Sequence, residues 1–199
     1  MTSSLEATRA AWDAEAAAFD DEPDHGLRDP AVRDAWRSLL LEYLPPAPAR
    51  VADLGCGSGS LSVLLAEQGY DVSGIDLSDE MLARSRAKAS AAGVDVSFTQ
   101  GDASSPDLEA GSFDVVLCRH VLWALPEPST ALGRWVALLA PGGRLVLVEG
   151  SWSTGAGLTA RRTAELVGEH RSEVTVRQLP EPVYWGKEID DERYLVVSE

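Results

Sequence analysis

Apolar residues recur at helical spacing from the first residues onward. Leu5, Ala11, Trp12, Ala16 and Phe19 mark one face of a helix over 3–19, with Ser3 or Ser4 as its cap. A second helix is predicted from Asp29 to Tyr43. Asp29 caps it, Pro30 takes the first turn, and Val32, Trp36, Leu39, Leu40 and Tyr43 form the stripe. Leu44-Pro-Pro-Ala-Pro-Ala49 cannot continue a helix and reads as a short stiff connector. From Arg50 the period changes. Strand-like runs at 50–54, 70–76, 95–100, 113–118 and 144–149 alternate with helical stretches near 59–68, 78–92 and 129–140. Such alternation predicts a mostly parallel sheet covered on both faces. A helix at 157–169 and strands at 173–179 and 193–198 follow, the two strands reading as an antiparallel pair at the sheet edge. The chain thus divides into a helical cap or lid, 1–44, and a main part, 45–199, of one domain.

Composition narrows the partners. A chain of 199 residues is one domain by length. Its formal net charge of −15 disfavours phosphate backbones and anionic membrane surfaces, which bind proteins chiefly through cationic side chains. Nucleic acid and membrane are therefore not expected partners. Two cysteines, Cys56 and Cys118, make no disulfide framework. No apolar run reaches the roughly 18 residues of a spanning helix. The first residues lack the basic and apolar regions of a secretory signal. A cytoplasmic protein is expected.

The chemistry-bearing segment is VADLGCGSGSLS at 51–62, where a strand ends in a glycine-rich turn and a helix begins. Glycines there let a backbone approach a ligand closely, and the helix start offers unpaired N–H groups. By itself the turn also fits phosphate and dinucleotide sites. Asp76 ends the next strand, 21 residues past Gly55, where a carboxylate can accept both hydroxyls of a ribose. Ser78 caps the following helix, and Asp79 and Glu80 suit its positive end.

Together these segments resemble class I S-adenosylmethionine-dependent methyltransferases, most nearly the small-molecule branch. Asp53-Leu-Gly-Cys-Gly-Ser-Gly59 looks like their first motif and Asp76-Leu-Ser-Asp-Glu-Met81 like the acidic end of their second strand. Gly101-Asp-Ala103, Phe113-Asp-Val-Val-Leu-Cys118 and Leu139-Ala-Pro-Gly-Gly-Arg-Leu145 resemble the later segments, in the right order across about 50 to 150. The resemblance implies an α/β, Rossmann-like fold with a seven-stranded, mostly parallel sheet of order 3-2-1-4-5-7-6. Its last strand is antiparallel, and helices cover both faces. It implies S-adenosylmethionine as cofactor and S-adenosylhomocysteine as product. Asp53, Gly55, Cys56 and Gly57 would meet the methionine moiety, Asp76 the ribose, and Leu77 and Met81 the adenine. Asp102 would bond the adenine amino group, with Ala103 supplying a backbone donor, and Arg119 and His120 would border the methyl group.

Departures refine the class. Cys118-Arg-His-Val-Leu-Trp123 replaces the Asn/Asp-Pro-Pro-aromatic element of nucleobase and glutamine-amide methylating enzymes, and the paired-glutamate loop of protein arginine methyltransferases is missing. A small neutral or cationic acceptor is favoured. Ser60 stands where a dinucleotide fingerprint needs glycine or alanine.

For a general base, His120 lies past the fourth strand and His25 in the segment that closes over the cofactor in this family. Both are candidate catalytic residues; each also has a binding or solvated reading. His170, at a helix end, is expected at the surface. No metal-ligand spacing is visible. Trp12, Phe19, Trp123 and Trp152 are candidate walls of an acceptor pocket, whereas Trp36 and Trp135 belong to the core. Cys56 and Cys118 end neighbouring strands and are read as reduced and non-catalytic. The expected activity is methyl transfer to a small-molecule acceptor, the alternative a cofactor-binding sensor or partner without turnover. A homodimer is left open.

Overall fold

The structure is a computed structural model that describes residues 2–199, with side chains from Leu5 onward. The cap expected of Ser3 or Ser4 therefore lies outside the described side chains.

One seven-stranded sheet has the order β3-β2-β1-β4-β5-β7-β6. Its strands are β1 (Arg50–Leu54), β2 (Asp71–Asp76), β3 (Ser97–Gln100), β4 (Phe113–Arg119), β5 (Leu139–Ser151), β6 (Val174–Gln178) and β7 (Glu192–Ser198). The first five pair in parallel, and β7 runs antiparallel to both β5 and β6. The helices are α1 (Thr2–Glu15), α2 (Pro23–Gly26), α3 (Pro30–Tyr43), α4 (Ser60–Ala66), α5 (Asp79–Ala92), α6 (Pro128–Leu138), α7 (Ala160–Gly168) and α8 (Pro182–Trp185).

Successive strand residues feed opposite faces, as a two-residue period requires. Val51, Val115, Leu117, Val146, Val148 and Leu195 join Trp36, Leu39 and Leu40 of α3 and Leu61, Leu64 and Leu65 of α4 in one core layer. Ala52, Leu54, Val116, Cys118, Leu145, Leu147 and Val196 meet Leu132 and Trp135 of α6 and Leu166 and Val167 of α7 in the other. Trp36 and Trp135 are fully buried, as their helical stripes predict. Local caps also follow the sequence: Asp29 accepts from Ala31 N, and Ser78 accepts from Met81 N.

Three departures have tertiary causes. The first helix stops at Glu15, not near Phe19, and the chain makes a single tight turn over Phe19–Asp21 before α2. Continuing the helix would carry Phe19 off the His25 ring, on which it stacks at 4.3 Å between centroids. The fifth strand begins at Leu139 instead of Arg144, because Leu139 pairs with Phe113 ahead of a register shift. The edge strands are joined through α8, whose Trp185 indole donates to Leu179 O at 2.8 Å and folds the connection under the sheet.

Candidate active site

The carboxyl ends of the parallel strands open into one cavity of about 1030 Å³. Every residue singled out from the sequence for the cofactor or for catalysis lines it: Asp53, Gly55, Cys56, Gly57, Asp76, Leu77, Met81, Asp102, Ala103, Arg119, His120 and His25. So do Trp12, Phe19, Trp123 and Trp152.

The floor is the turn after β1. Gly55 and Gly57 both have positive φ, 72° and 54°, a region costly for residues with a Cβ. A Cβ on Gly55 would stand 2.3 Å from a Val121 methyl, and one on Gly57 3.2 Å from the Phe19 ring. Asp76 fixes this turn to the end of β2: one carboxylate oxygen accepts from Gly57 N at 2.8 Å, the other from Ser78 N at 2.9 Å. Each oxygen has a second lone pair to offer. Burial pushes the Asp76 carboxyl upward, opposed by these backbone donors. Asp53 is buried beside the Ser62 hydroxyl, and burial lifts its carboxyl to about 6. The Asp102 carboxylate is held by Ser104, through its N–H and its hydroxyl, both at 2.8 Å. Trp135 donates to Ala103 O at 2.6 Å, which anchors the same segment to the core.

The roof is the N-terminal segment. Asp13 of α1 accepts from the Ser78 hydroxyl at 2.6 Å. Asp20, buried, accepts from the Ser58 hydroxyl and from Lys88 at 3.1 Å, and the same ammonium donates to Ser58 and Ser60 at 3.0 and 2.6 Å. This cluster ties the roof directly to the glycine turn. Gly26 has no room for a side chain: a Cβ there would lie 2.2 Å from Asp20 O, so α2 folds tightly back on the preceding turn. Arg119 joins roof to sheet, donating to Asp24 O while its guanidinium lies 5.2 Å from the Trp36 ring centre. It stands among the counter-charges of Asp24, Asp53 and Asp20.

Aromatic rings and imidazoles crowd the far end. His25 stacks on Phe19 and stands edge-on to His120, and His120 is edge-on to Trp152 at 5.2 Å. Trp123 meets Trp152 at 5.3 Å and donates its indole N–H to His120 O. Burial lowers the pKa of both imidazoles, far so for His120, with Arg119 adding to the effect. Both rings are neutral near pH 7. His120 holds a left-handed backbone conformation (φ 60°), uncommon for a side chain of its size and stabilised by its N–H to Val148 O.

Several contributors had no sequence signal. Asp24 is buried with Oδ2 3.5 Å from His25 Nε2. Trp185, Lys187 and Arg193 reach the cavity from beyond residue 180, where the motif order says nothing. Glu149, near the carboxyl end of β5, is fully buried and accepts from Val121 N and Leu122 N, shaping the turn that carries His120. Burial raises its carboxyl to about 8. Cys56 and Cys118 are free and buried, with thiols pushed well up by burial, and are not thiolates near neutral pH. His170 is exposed, meets the Ser129 hydroxyl at 3.2 Å and does not line the cavity. Among the described residues no helix is long and apolar enough to cross a membrane.

Residues 52–147 match the methyltransferase domain family. The chain is 38% identical over 137 residues to a ubiquinone biosynthesis O-methyltransferase of Xanthomonas axonopodis pv. citri, covering 68% of this chain and 54% of that one. It is 38% identical over 117 residues to a demethylmenaquinone methyltransferase of Thermus thermophilus, covering 57% and 53% respectively. The chain thus spans about half the length of these curated relatives. A geranyl diphosphate methyltransferase solved with S-adenosylmethionine superimposes with a TM-score of 0.70 at 18% identity, covering 83% of this chain and 84% of that one, and shares the fold.

Proposed function

We propose that the chain is a class I, S-adenosylmethionine-dependent methyltransferase that methylates a hydroxyl group on a small, flat aromatic acceptor carrying no negative charge. One observation carries this reading. A single cavity joins the glycine turn and Asp76 at one end to a wall of indoles and imidazoles at the other. Its volume lies at the upper end of small-molecule sites, which supports room for a cofactor and a second small molecule.

The bound cofactor would supply a methyl group on a positively charged sulfur, so the protein's work is mainly alignment. Gly55 to Gly57 would pass the methionine portion, Asp76 would receive the ribose hydroxyls, and Asp102 with Ala103 would meet the adenine. Leu77 and Met81 would cover its ring. Trp12, Phe19, Trp123 and Trp152 would sandwich the acceptor ring. His25, steadied through Nε2 by Asp24, and His120 are neutral bases able to take the hydroxyl proton. A negative charge on the acceptor is disfavoured because cations of the cavity have partners: Arg193 is doubly bonded to Asp191, and Lys187 pairs with Glu22. The relatives' names, a ubiquinone-pathway O-methyltransferase and a demethylmenaquinone methyltransferase, agree with a ring-bearing acceptor.

The test is calorimetric titration with S-adenosylmethionine and S-adenosylhomocysteine, followed by a screen of phenols and hydroquinones for methyl transfer. Binding of both nucleosides and methylation of a ring hydroxyl, lost in His25→Gln or His120→Gln with cofactor binding kept, is expected. Failure to bind either nucleoside would overturn the reading.

A further inference from the structure

We propose that Asp24, His25 and His120 form a binding site for one divalent transition-metal ion, of the zinc type, at the acceptor end of the cavity. One ligand atom from each residue lies within 4.8 Å of the other two. For bonds of about 2.1 Å in a tetrahedral site, ligand atoms stand about 3.4 Å apart. The Asp24 Oδ2 to His25 Nε2 separation is 3.5 Å, so that edge already has the span of a metal site. His120 offers its ligand atom within 4.8 Å of both.

A second observation points the same way. His120 Nε2 is out of contact with water and has no hydrogen-bond partner. Buried imidazoles ordinarily satisfy both ring nitrogens. Here His120 leaves one unsatisfied in the same cluster as the buried Asp24 carboxylate and His25 Nε2. Two imidazoles and one carboxylate suit zinc, iron or cobalt, whereas magnesium and calcium prefer all-oxygen sets. Arg119 and Arg193 are the opposing charges nearby; Asp24, Asp53 and Asp20 offset the first and Asp191 the second.

Three protein ligands leave a fourth position open towards the cavity, as in sites where the metal meets a small molecule. With the ion bound, both imidazoles are ligands instead of bases, and an acceptor hydroxyl in the fourth position would lose its proton to solvent or to a displaced hydroxide. That consequence rests on the methyl-transfer reading; the cation site does not.

The full chain, stripped with a chelator, is titrated with Co²⁺ while visible absorption is followed, and the bound ion is then challenged with Zn²⁺ and with Mg²⁺. One Co²⁺ per chain, with the intense bands of low-coordinate cobalt, displaced by Zn²⁺ and untouched by Mg²⁺, is expected. Loss of a ligand in His25→Gln or His120→Gln should weaken binding about 100-fold or more. Absence of the cobalt bands, or equal affinity in the variants, would each overturn the site. S-adenosylhomocysteine affinity, measured separately on the metal-free chain, tells a failed metal site from a failed cofactor site.

Discussion

Replacing Glu149 with Gln tests how a buried acid sets the stability of the site's frame. The carboxyl is fully buried, and burial raises it from an ordinary 4.5 to about 8. One oxygen accepts from Val121 N at 3.1 Å and Leu122 N at 2.8 Å, while the other has no partner. Between pH 4.5 and 8 the folded protein keeps a proton that the unfolded chain has released. Stability must therefore fall as pH rises through that window and level off above it. At about 1.4 kcal/mol per unit, a shift of this size predicts a loss of roughly 3 kcal/mol between pH 5 and pH 8. Glutamine keeps the accepting oxygen and cannot ionise. Urea unfolding at intervals from pH 5 to pH 9 should show Glu149→Gln no more stable than wild type at pH 5 and more stable by that order at pH 8. Asp53, lifted to about 6, adds a slope common to both proteins that cancels in the difference. Parallel stability curves across this range would mean that Glu149 is ionised in the folded state, and the burial reasoning would fail.

Two further substitutions probe the floor and roof. Asp76→Ala removes the acceptor of Gly57 N and the proposed ribose partner; S-adenosylhomocysteine binding should weaken by about 1.5–3 kcal/mol in calorimetry, as for hydrogen bonds to a charged group. An unchanged dissociation constant in a folded variant would remove Asp76 from the site. Lys88→Met strips the shared donor from Asp20, Ser58 and Ser60. Limited proteolysis should then cut near residues 16–22 several-fold faster than in wild type, and equal rates would show that the remaining contacts hold the roof alone.

The frame of the molecule was legible because its signals are local. The glycine turn, Asp76 at a strand end and Ser78 as a cap are each written in consecutive residues, and the structure has them where those residues predict. The roof was less legible. Phe19 belongs by spacing to a first helix, yet its stacking on His25 and the bonds of Asp20 to Ser58 and Lys88 end that helix early. Asp24, His25 and His120 carry no ligand spacing because they meet only after the chain has crossed the sheet, 95 residues apart. Glu149 was unreadable for another reason: in RLVLVEG a glutamate at a strand end looks solvent-facing, and only the β4 turn beside it supplies the backbone donors that hold it inside.

The cavity is walled from three distant stretches of chain: Trp12 and Phe19 near the start, His120 and Trp123 in the middle, and Trp185 and Arg193 near the end. A molecule bound there spans segments that would otherwise fray independently. By mass action its binding energy is shared among them, so occupancy raises the melting temperature with ligand concentration. Amide exchange should slow together in α1 and in the stretch from α8 to β7, although the two belong to opposite ends of the sequence. Saturation and cooperativity of the fold are, in this chain, one equilibrium observed in two ways.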